Sequence, residues 1–142
     1  MKPTAVFATL LLAAATLLSP LAAPAEKSGR HHLVIQVSED NPVQWNLALN
    51  NAENVQQAFG KDNVDVEIVA YGPGLKMLLA ESKVAARLNK ALDSSVGLMA
   101  CATTMRKMKV TKTDLHAGST VVPGGIIHIM KRQDEGWNYI RP

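Results

Sequence analysis

The chain has 142 residues, with 15 Lys and Arg against 12 Asp and Glu, a formal net charge of +3 and a single cysteine. This length fits one domain of common size, and so small a positive surplus does not predict a nucleic-acid groove. A lone cysteine excludes a disulfide within the chain and the C-x-x-C pair of thioredoxin-like proteins.

The first 25 residues are predicted to be an export signal. Lys2 gives a positive start, an apolar or small run covers residues 5–18, and Ala23-Pro24-Ala25 supplies a small-x-small cleavage pattern. The run is too short for a bilayer-spanning helix, which needs roughly 20 residues. We therefore expect a mature domain of residues 26–142, periplasmic or secreted, with no membrane association once the signal is removed.

A strand and a helix are predicted to open the mature domain. Residues 31–37 form an apolar, β-branched run that is typical of a strand covered on both faces. Asp40 or Asn41 is expected to cap an amphipathic helix with Pro42 in its first turn, and Gly60 is expected to end that helix.

The second strand is predicted over residues 64–70. Its early alternation of apolar and acidic residues indicates a face that meets water, as at the edge of a sheet. Tyr71-Gly72-Pro73-Gly74 predicts a turn, and Ser82 is expected to cap a helix that extends to Leu92.

The third strand, over residues 96–100, is apolar throughout and is expected to be central. Residues 101–104, beginning with Cys101, follow it directly and open a short helix around 105–108. In the last third, length favours a helix over 123–135 after a short strand at 121–122, and residues 137–140 predict a final strand.

Alternating strands and helices predict a parallel sheet with helices on both faces. Ligands and catalytic groups gather at the carboxyl ends of such strands. The polar second strand favours the order 2-1-3, which would place the loops at 38–41 and 101–104 side by side.

Cys101 is the residue with the clearest chemical potential. A thiol between a strand and a helix lies near the positive end of the helix dipole, which favours the nucleophilic thiolate together with Arg106 and Lys107. Backbone amides near Thr103 and Thr104 would then hold a negative sulfur. A buried structural thiol and an intermolecular disulfide remain as alternatives.

Two other binding hypotheses concern the same edge of the sheet. Asn41, Gly72 and Gly74 belong to loops that could form a small-ligand pocket, although Gly72-Pro73-Gly74 lacks the spacing of a nucleotide-binding loop. Thiolate and thioether ligands suit Cu(I), and Met99, Cys101, Met105 and Met108 lie close in sequence. Methionines at this spacing are more often core residues, so neither a metal site nor a cofactor is expected.

Several segments, in this order and spacing, resemble the DsrE/DsrF-like family, including its YchN-like members. They are Asp40-Asn41-Pro42, Asn50-Asn51-Ala52-Glu53-Asn54, Val69-Ala70-Tyr71-Gly72-Pro73-Gly74, Ala100-Cys101-Ala102-Thr103-Thr104-Met105, Val122-Pro123-Gly124-Gly125, Gln133, and Gly136-Trp137-Asn138-Tyr139-Ile140-Arg141-Pro142.

The resemblance implies an α/β, flavodoxin-like three-layer sandwich with a mainly parallel sheet of about five strands, in homotrimers or hexamers. It also implies that Cys101 occupies the place of the persulfide-carrying cysteine of sulfurtransferase members. The first functional hypothesis is therefore an exported homo-oligomer in which Cys101 carries sulfane sulfur or does thiol redox chemistry with a sulfur donor or acceptor protein. The second is a non-enzymatic small-ligand binding or assembly module.

Overall fold

The computed structural model describes residues 29–142, and the predicted export signal lies outside this range. Within it, no helix is long and apolar enough to cross a membrane. The elements in chain order are β1 His31–Val37, α1 Pro42–Phe59, β2 Val64–Ala70, a 3-10 segment Gly72–Leu78, α2 Ala85–Asp93, β3 Gly97–Cys101, α3 Ala102–Met108, a 3-10 turn Lys112–Asp114, β4 Thr120–Val122, α4 Gly125–Asp134 and β5 Asn138–Ile140.

The strands of residues 29–142 form one five-stranded sheet in the order β4-β3-β2-β1-β5, and every pair is parallel. This α/β, flavodoxin-like arrangement confirms the predicted fold class. The predicted order 2-1-3 is wrong, because β2 lies at the centre of the sheet between β1 and β3. The loop after β2, and not the loop after β1, is therefore the neighbour of Cys101.

The acidic residues of β2 suggested an edge strand, but both of them pair with basic side chains from outside the strand. Asp65 lies at the start of the strand and pairs with Arg30 at 2.7 Å. Glu67 is buried, and Arg132 and His128 of α4 reach its carboxylate. The polarity of this strand thus reflects a buried, paired charge at Glu67, whereas the paired Asp65 at the start of the strand is partly exposed.

The direction of the chain through the sheet decides which helix covers which face. The steps from β1 to β2, β3 and β4 run one way across the sheet, whereas the step from β4 to β5 returns past all of them. Right-handed crossovers that run in opposite directions place their helices on opposite faces. Accordingly α1, α2 and α3 pack on one face, and α4 packs on the other.

The core lies mainly on the face that α1, α2 and α3 cover. Ile35 and Ile68 of the sheet and Leu88 of α2 are fully buried there. Burying an aliphatic side chain of this size contributes about 1.5–3 kcal/mol. The opposite face has a smaller cluster in which Val34 and Val69 pack against Ile129 of α4.

The start of α2 differs from the sequence prediction, whereas the start of α3 agrees with it. Helix α2 begins at Ala85, after Val84, and Ser82 does not supply a side-chain cap to it. Instead, the Ser82 hydroxyl accepts a hydrogen bond from the Val84 amide in the preceding turn. Helix α3 begins at Ala102, directly after Cys101, so the cysteine is the residue at which the strand becomes a helix.

Candidate functional site

A crevice opens where β3 and β4 end. Helix α3 leaves β3 toward one face of the sheet and α4 leaves β4 toward the other, which is the arrangement that creates a ligand crevice in parallel sheets. The turn after β2 forms its third side, because β2 and β3 are hydrogen-bonded neighbours. Cys101 is the last residue of β3 and lies at the base of this crevice.

Cys101 is only 5% exposed, yet its surroundings are polar on one side. Burial raises the pKa of the thiol, and hydrogen bonds to the thiolate lower it again. These hydrogen bonds come from the Thr104 hydroxyl and from the backbone amides of Thr104, Gly125 and Thr103. Together they outweigh burial, so the pKa of Cys101 lies below the ordinary thiol value and the nucleophilic form is favoured.

Thr104 connects the loop after β2 to the cysteine. The Gly72 amide donates to the Thr104 hydroxyl oxygen at 2.9 Å. Because this amide occupies an acceptor position of the oxygen, the hydroxyl proton is left to donate toward Cys101. The neighbouring Thr103 has a different role. Its hydroxyl donates to the Pro123 carbonyl at 3.2 Å, and only its backbone amide helps to lower the pKa of Cys101.

Gly125 brings the first turn of α4 to the site. A Cβ atom built on this glycine would lie 2.8 Å from Cβ of Tyr71, which is closer than real Cβ atoms approach. The absence of a side chain therefore lets the α4 N-terminus lie against the β2 turn, with the Gly125 amide directed at Cys101. Gly125 was not predicted as a site residue, although the Pro123-Gly124-Gly125 run at a helix start was a signal for close backbone approach.

The crevice has a volume of about 660 Å³, which is within the range of small-molecule sites. Its walls are largely apolar, and Ile126 and Ile127 at the mouth are about half exposed. Lysine side chains supply the charges among its described lining residues. The residues that line it are Tyr71, Gly72, Pro73, Lys76, Cys101, Thr103, Thr104, Lys107, Met108, Gly124, Gly125, Ile126 and Ile127.

The ligand-binding residues predicted from the sequence divide into two groups. Gly72, Thr103 and Thr104 line the crevice with Cys101. Asn41 lies elsewhere, where its side chain caps α1 by accepting from the Val43 amide at 2.9 Å. Gly74 is also outside the lining and is packed against the backbone of β1, where a Cβ would clash with the Val37 carbonyl.

The sulfur atoms considered for Cu(I) do not all converge. Met99 packs in the core cluster beneath α4, whereas Met105 packs in the cluster on the opposite face of the sheet. Met108 does line the crevice with Cys101. Among residues 29–142, no group of three or more His, Cys, Asp or Glu side chains is arranged to hold a metal ion.

A second buried ionisable group lies one strand away from Cys101. Burial raises the pKa of Glu67, but hydrogen bonds and charge from Arg132 and His128 outweigh burial and hold its pKa below the ordinary value. The same ion pair raises the pKa of Arg132, whose guanidinium contacts both carboxylate oxygens at 2.6 and 2.9 Å. The contacts of His128 and Arg132 with Glu67 hold α4, the helix that carries the Gly125 amide, against the central strand β2.

Solved structures of similar proteins share this architecture. A protein of unknown function from Methanobacterium thermoautotrophicum is 32% identical, with a TM-score of 0.76 over 79% of this chain and 99% of that one. A conserved protein of unknown function from Bacteroides thetaiotaomicron is 18% identical, with a TM-score of 0.62 over 78% of this chain and 94% of that one, and it shows the fold alone. No curated protein matches the chain.

The sequence model of the DsrE/DsrF-like family matches residues 33–142, a range that includes all of the crevice and nearly all of the sheet. The match agrees with the order of segments on which the resemblance was based. The chain therefore belongs to the DsrE/DsrF-like family, a family related to sulfur metabolism.

Proposed function

We propose that the protein is a sulfur carrier in which Cys101 accepts a sulfane sulfur as a persulfide and passes it on. The observation that carries the proposal is that Cys101, the last residue of β3, lines an open crevice together with Thr103 and Thr104 of α3 and Gly125 of α4. Donors from these residues lower the pKa of the thiol. A lowered pKa favours the nucleophilic thiolate, and the crevice that Cys101 lines gives a reactant a route to it.

The proposed reaction needs no external oxidant. The Cys101 thiolate attacks the terminal sulfur of a persulfide R–S–SH, a new S–S bond forms at Cys101, and the S–S bond of the donor breaks. The leaving group R–S⁻ takes the electron pair, and the product is Cys101–S–SH. The amides that favour the thiolate would also favour the ionised terminal sulfur of this product.

Mass spectrometry tests the proposal directly. Reduced protein treated with polysulfide under anaerobic conditions should gain the mass of one sulfur, and a free thiol added afterwards should remove it. Cys101→Ser, which keeps the size of the side chain, should gain none. If the wild-type protein gains no sulfur while Cys101 still reacts with iodoacetamide, the carrier function is wrong and the crevice serves a non-covalent ligand.

The expectation of a homo-oligomer is supported by the outer face of α4. Ile126, Ile127 and Met130 are each about half exposed along this helix, which makes a contiguous apolar surface. We propose that another copy of the chain packs against the Met130 end of this surface in a trimer or hexamer, while Ile126 and Ile127 stay at the mouth of the crevice. Light scattering should then give a mass above the monomer, and Met130→Glu should lower it.

The expected export and the periplasmic or secreted location stay predictions, because the signal lies outside the described residues. Mass determination of the N-terminus of the protein purified from an exporting host tests them. A mature chain that begins near residue 26 supports export, and a chain that begins at Met1 contradicts it.

A further inference from the structure

The crevice is much larger than the sulfur chemistry at its base requires. An inorganic sulfur anion has only a few atoms, whereas about 660 Å³ accommodates an organic molecule of drug-like size. Apolar walls that face such a small anion would stay hydrated and contribute nothing to its binding. The dimensions therefore indicate a ligand with a hydrocarbon body that reaches from Cys101 to the mouth.

The charged side chains around the crevice favour a ligand with a negative charge. Apart from the Cys101 thiolate at its base, the charged side chains among its described lining residues are Lys76 and Lys107, and both are cationic. The Lys76 ammonium is already paired, because Asp40 accepts from it at 2.6 Å. Lys107 has no ion pair with any residue in the range 29–142, so its charge is available to an acidic group of a ligand.

The apolar and charged features lie on different sides of the same opening. Ile126 and Ile127 come from the first turn of α4, whereas Lys107 and Met108 come from the last turn of α3. A ligand whose sulfur reaches Cys101 thus meets Ile126 and Ile127 along one wall, and Met108 and the unpaired cation of Lys107 along the other. This combination recognises an amphipathic acid.

We propose that the donor that loads Cys101 is a small organic persulfide with a hydrocarbon body and a carboxylate that pairs with Lys107. This inference rests on the proposed carrier function and names its substrate class. The reaction is the carrier reaction described above. The S–S bond of the donor breaks, the terminal sulfur moves to Cys101, and the donor leaves as a thiolate that still carries its carboxylate. Lys107 and the apolar walls then determine specificity by binding the donor, without taking part in bond breaking.

A donor series tests this substrate class. The persulfides of mercaptooctanoic acid, mercaptooctanol and mercaptoacetic acid, generated in situ, are compared by the rate at which they add sulfur to Cys101. We expect the mercaptooctanoic donor to saturate the protein, with a half-saturating concentration about fivefold below that of the neutral mercaptooctanol donor. The mercaptoacetic donor, which lacks most of the hydrocarbon, should need at least about tenfold more.

Lysine variants connect the preference to the proposed contact. In Lys107→Met, the half-saturating concentration should rise more for the mercaptooctanoic donor than for the mercaptooctanol donor, so that the preference between the two donors is lost. Lys109→Met removes a nearby charge that does not line the crevice, and it should keep the wild-type preference. Loss of preference in both variants would show a general field effect and overturn the assignment to Lys107.

Failure of this inference is distinguishable from failure of the carrier function. If all three donors load Cys101 at equal rates without saturation, the substrate class is wrong although the carrier function holds. If neither these donors nor inorganic polysulfide adds sulfur to Cys101, both the carrier function and the substrate class are wrong.

Discussion

Cys101 and Glu67 are ionisable groups on neighbouring strands, both nearly inaccessible, and hydrogen bonds lower the pKa of both against the effect of burial. They differ in how their charge is compensated. The Arg132 guanidinium and the His128 ring contact the Glu67 carboxylate, whereas neutral amides and one hydroxyl face Cys101. A carboxylate paired in this way is a structural anchor. A thiolate held by dipoles at an open crevice keeps its nucleophilic electrons available.

Helix α4 connects the two groups. Its first residue, Gly125, directs an amide at Cys101, and its later turns carry His128 and Arg132 to Glu67. The anchor therefore helps to position one of the donors that tune the thiol. The following predictions test this division between an anchoring pair and a reactive group.

The largest expected effect is the loss of stability in Glu67→Gln. The substitution keeps the shape of the side chain but leaves Arg132 without its main partner, and breaking a buried pair costs about 3 kcal/mol. Urea unfolding measures the change in the free energy of unfolding. Glu53→Gln is the matched control, because Glu53 pairs with Arg87 and Lys90 near the surface and should cost less than about 1 kcal/mol. Equal costs would show that Glu67 is not an anchor.

Acid should weaken the same anchor. The pKa of Glu67 is lower in the folded protein than its ordinary value of 4.5. A carboxyl group of this kind stabilises the fold fully above that value, and its contribution is lost as the pH falls through its folded pKa. Unfolding free energies measured from neutral pH to about pH 3 should therefore decrease, and the decrease should be smaller in Glu67→Gln. An identical decrease in both proteins would assign the acid sensitivity to other carboxyl groups.

Much of the fold was predictable from the sequence because local patterns determine it. The β-branched run at 31–37 forms a strand, and the segment from Pro42 forms a helix, as their local residue patterns predict. The order of the strands was not predictable in this way. The acidic residues of β2 suggested an edge, and only the distant α4 residues Arg132 and His128 explain why Glu67 is central and buried.

The part of the site that comes from a single loop was predictable from the sequence. The part that requires a second, distant loop to lie beside the first was not. Cys101, Thr103 and Thr104 follow a single strand, and their grouping at the crevice was expected. The contribution of Gly125 depends on the return of the chain across the sheet, which residue patterns do not encode. Asn41 was expected in the pocket because the predicted strand order placed its loop beside Cys101, and the observed order removes that reason.

Thr104→Val should have the largest effect on the thiol itself. The variant loses the hydroxyl that donates to the thiolate, so the pKa of Cys101 should rise and alkylation at pH 7 should be about tenfold slower. The pH profile of iodoacetamide labelling measures both quantities. Thr103→Val is the matched control, because the Thr103 hydroxyl donates to Pro123 and its amide is retained. A shift of equal size in the control would contradict the role of the Thr104 hydroxyl.

Gly125→Ala should have a smaller effect in the same direction. The new methyl group clashes with Tyr71, so the first turn of α4 must move and its amide must withdraw from Cys101. Alkylation at pH 7 should slow about threefold, as expected for the loss of one neutral donor. Gly124→Ala is the control, because a Cβ there makes ordinary contacts with the Ile127 side chain. If both variants keep the wild-type pH profile, the Gly125 amide does not tune the thiol.

The smallest effect should be the change in stability caused by Cys101→Ala. The substitution removes one buried sulfur but leaves no formal charge without a partner, because the groups around it are amides and a hydroxyl at a crevice that water can enter. We expect the free energy of unfolding to change by less than about 1 kcal/mol, while labelling by alkylating reagents is abolished. A loss as large as that of Glu67→Gln would mean that the cysteine is itself a structural anchor. A small loss would show that Cys101, unlike Glu67, contributes little to the stability of the fold. Water in the crevice then replaces the sulfur as the hydrogen-bond partner of the neighbouring amides and hydroxyl.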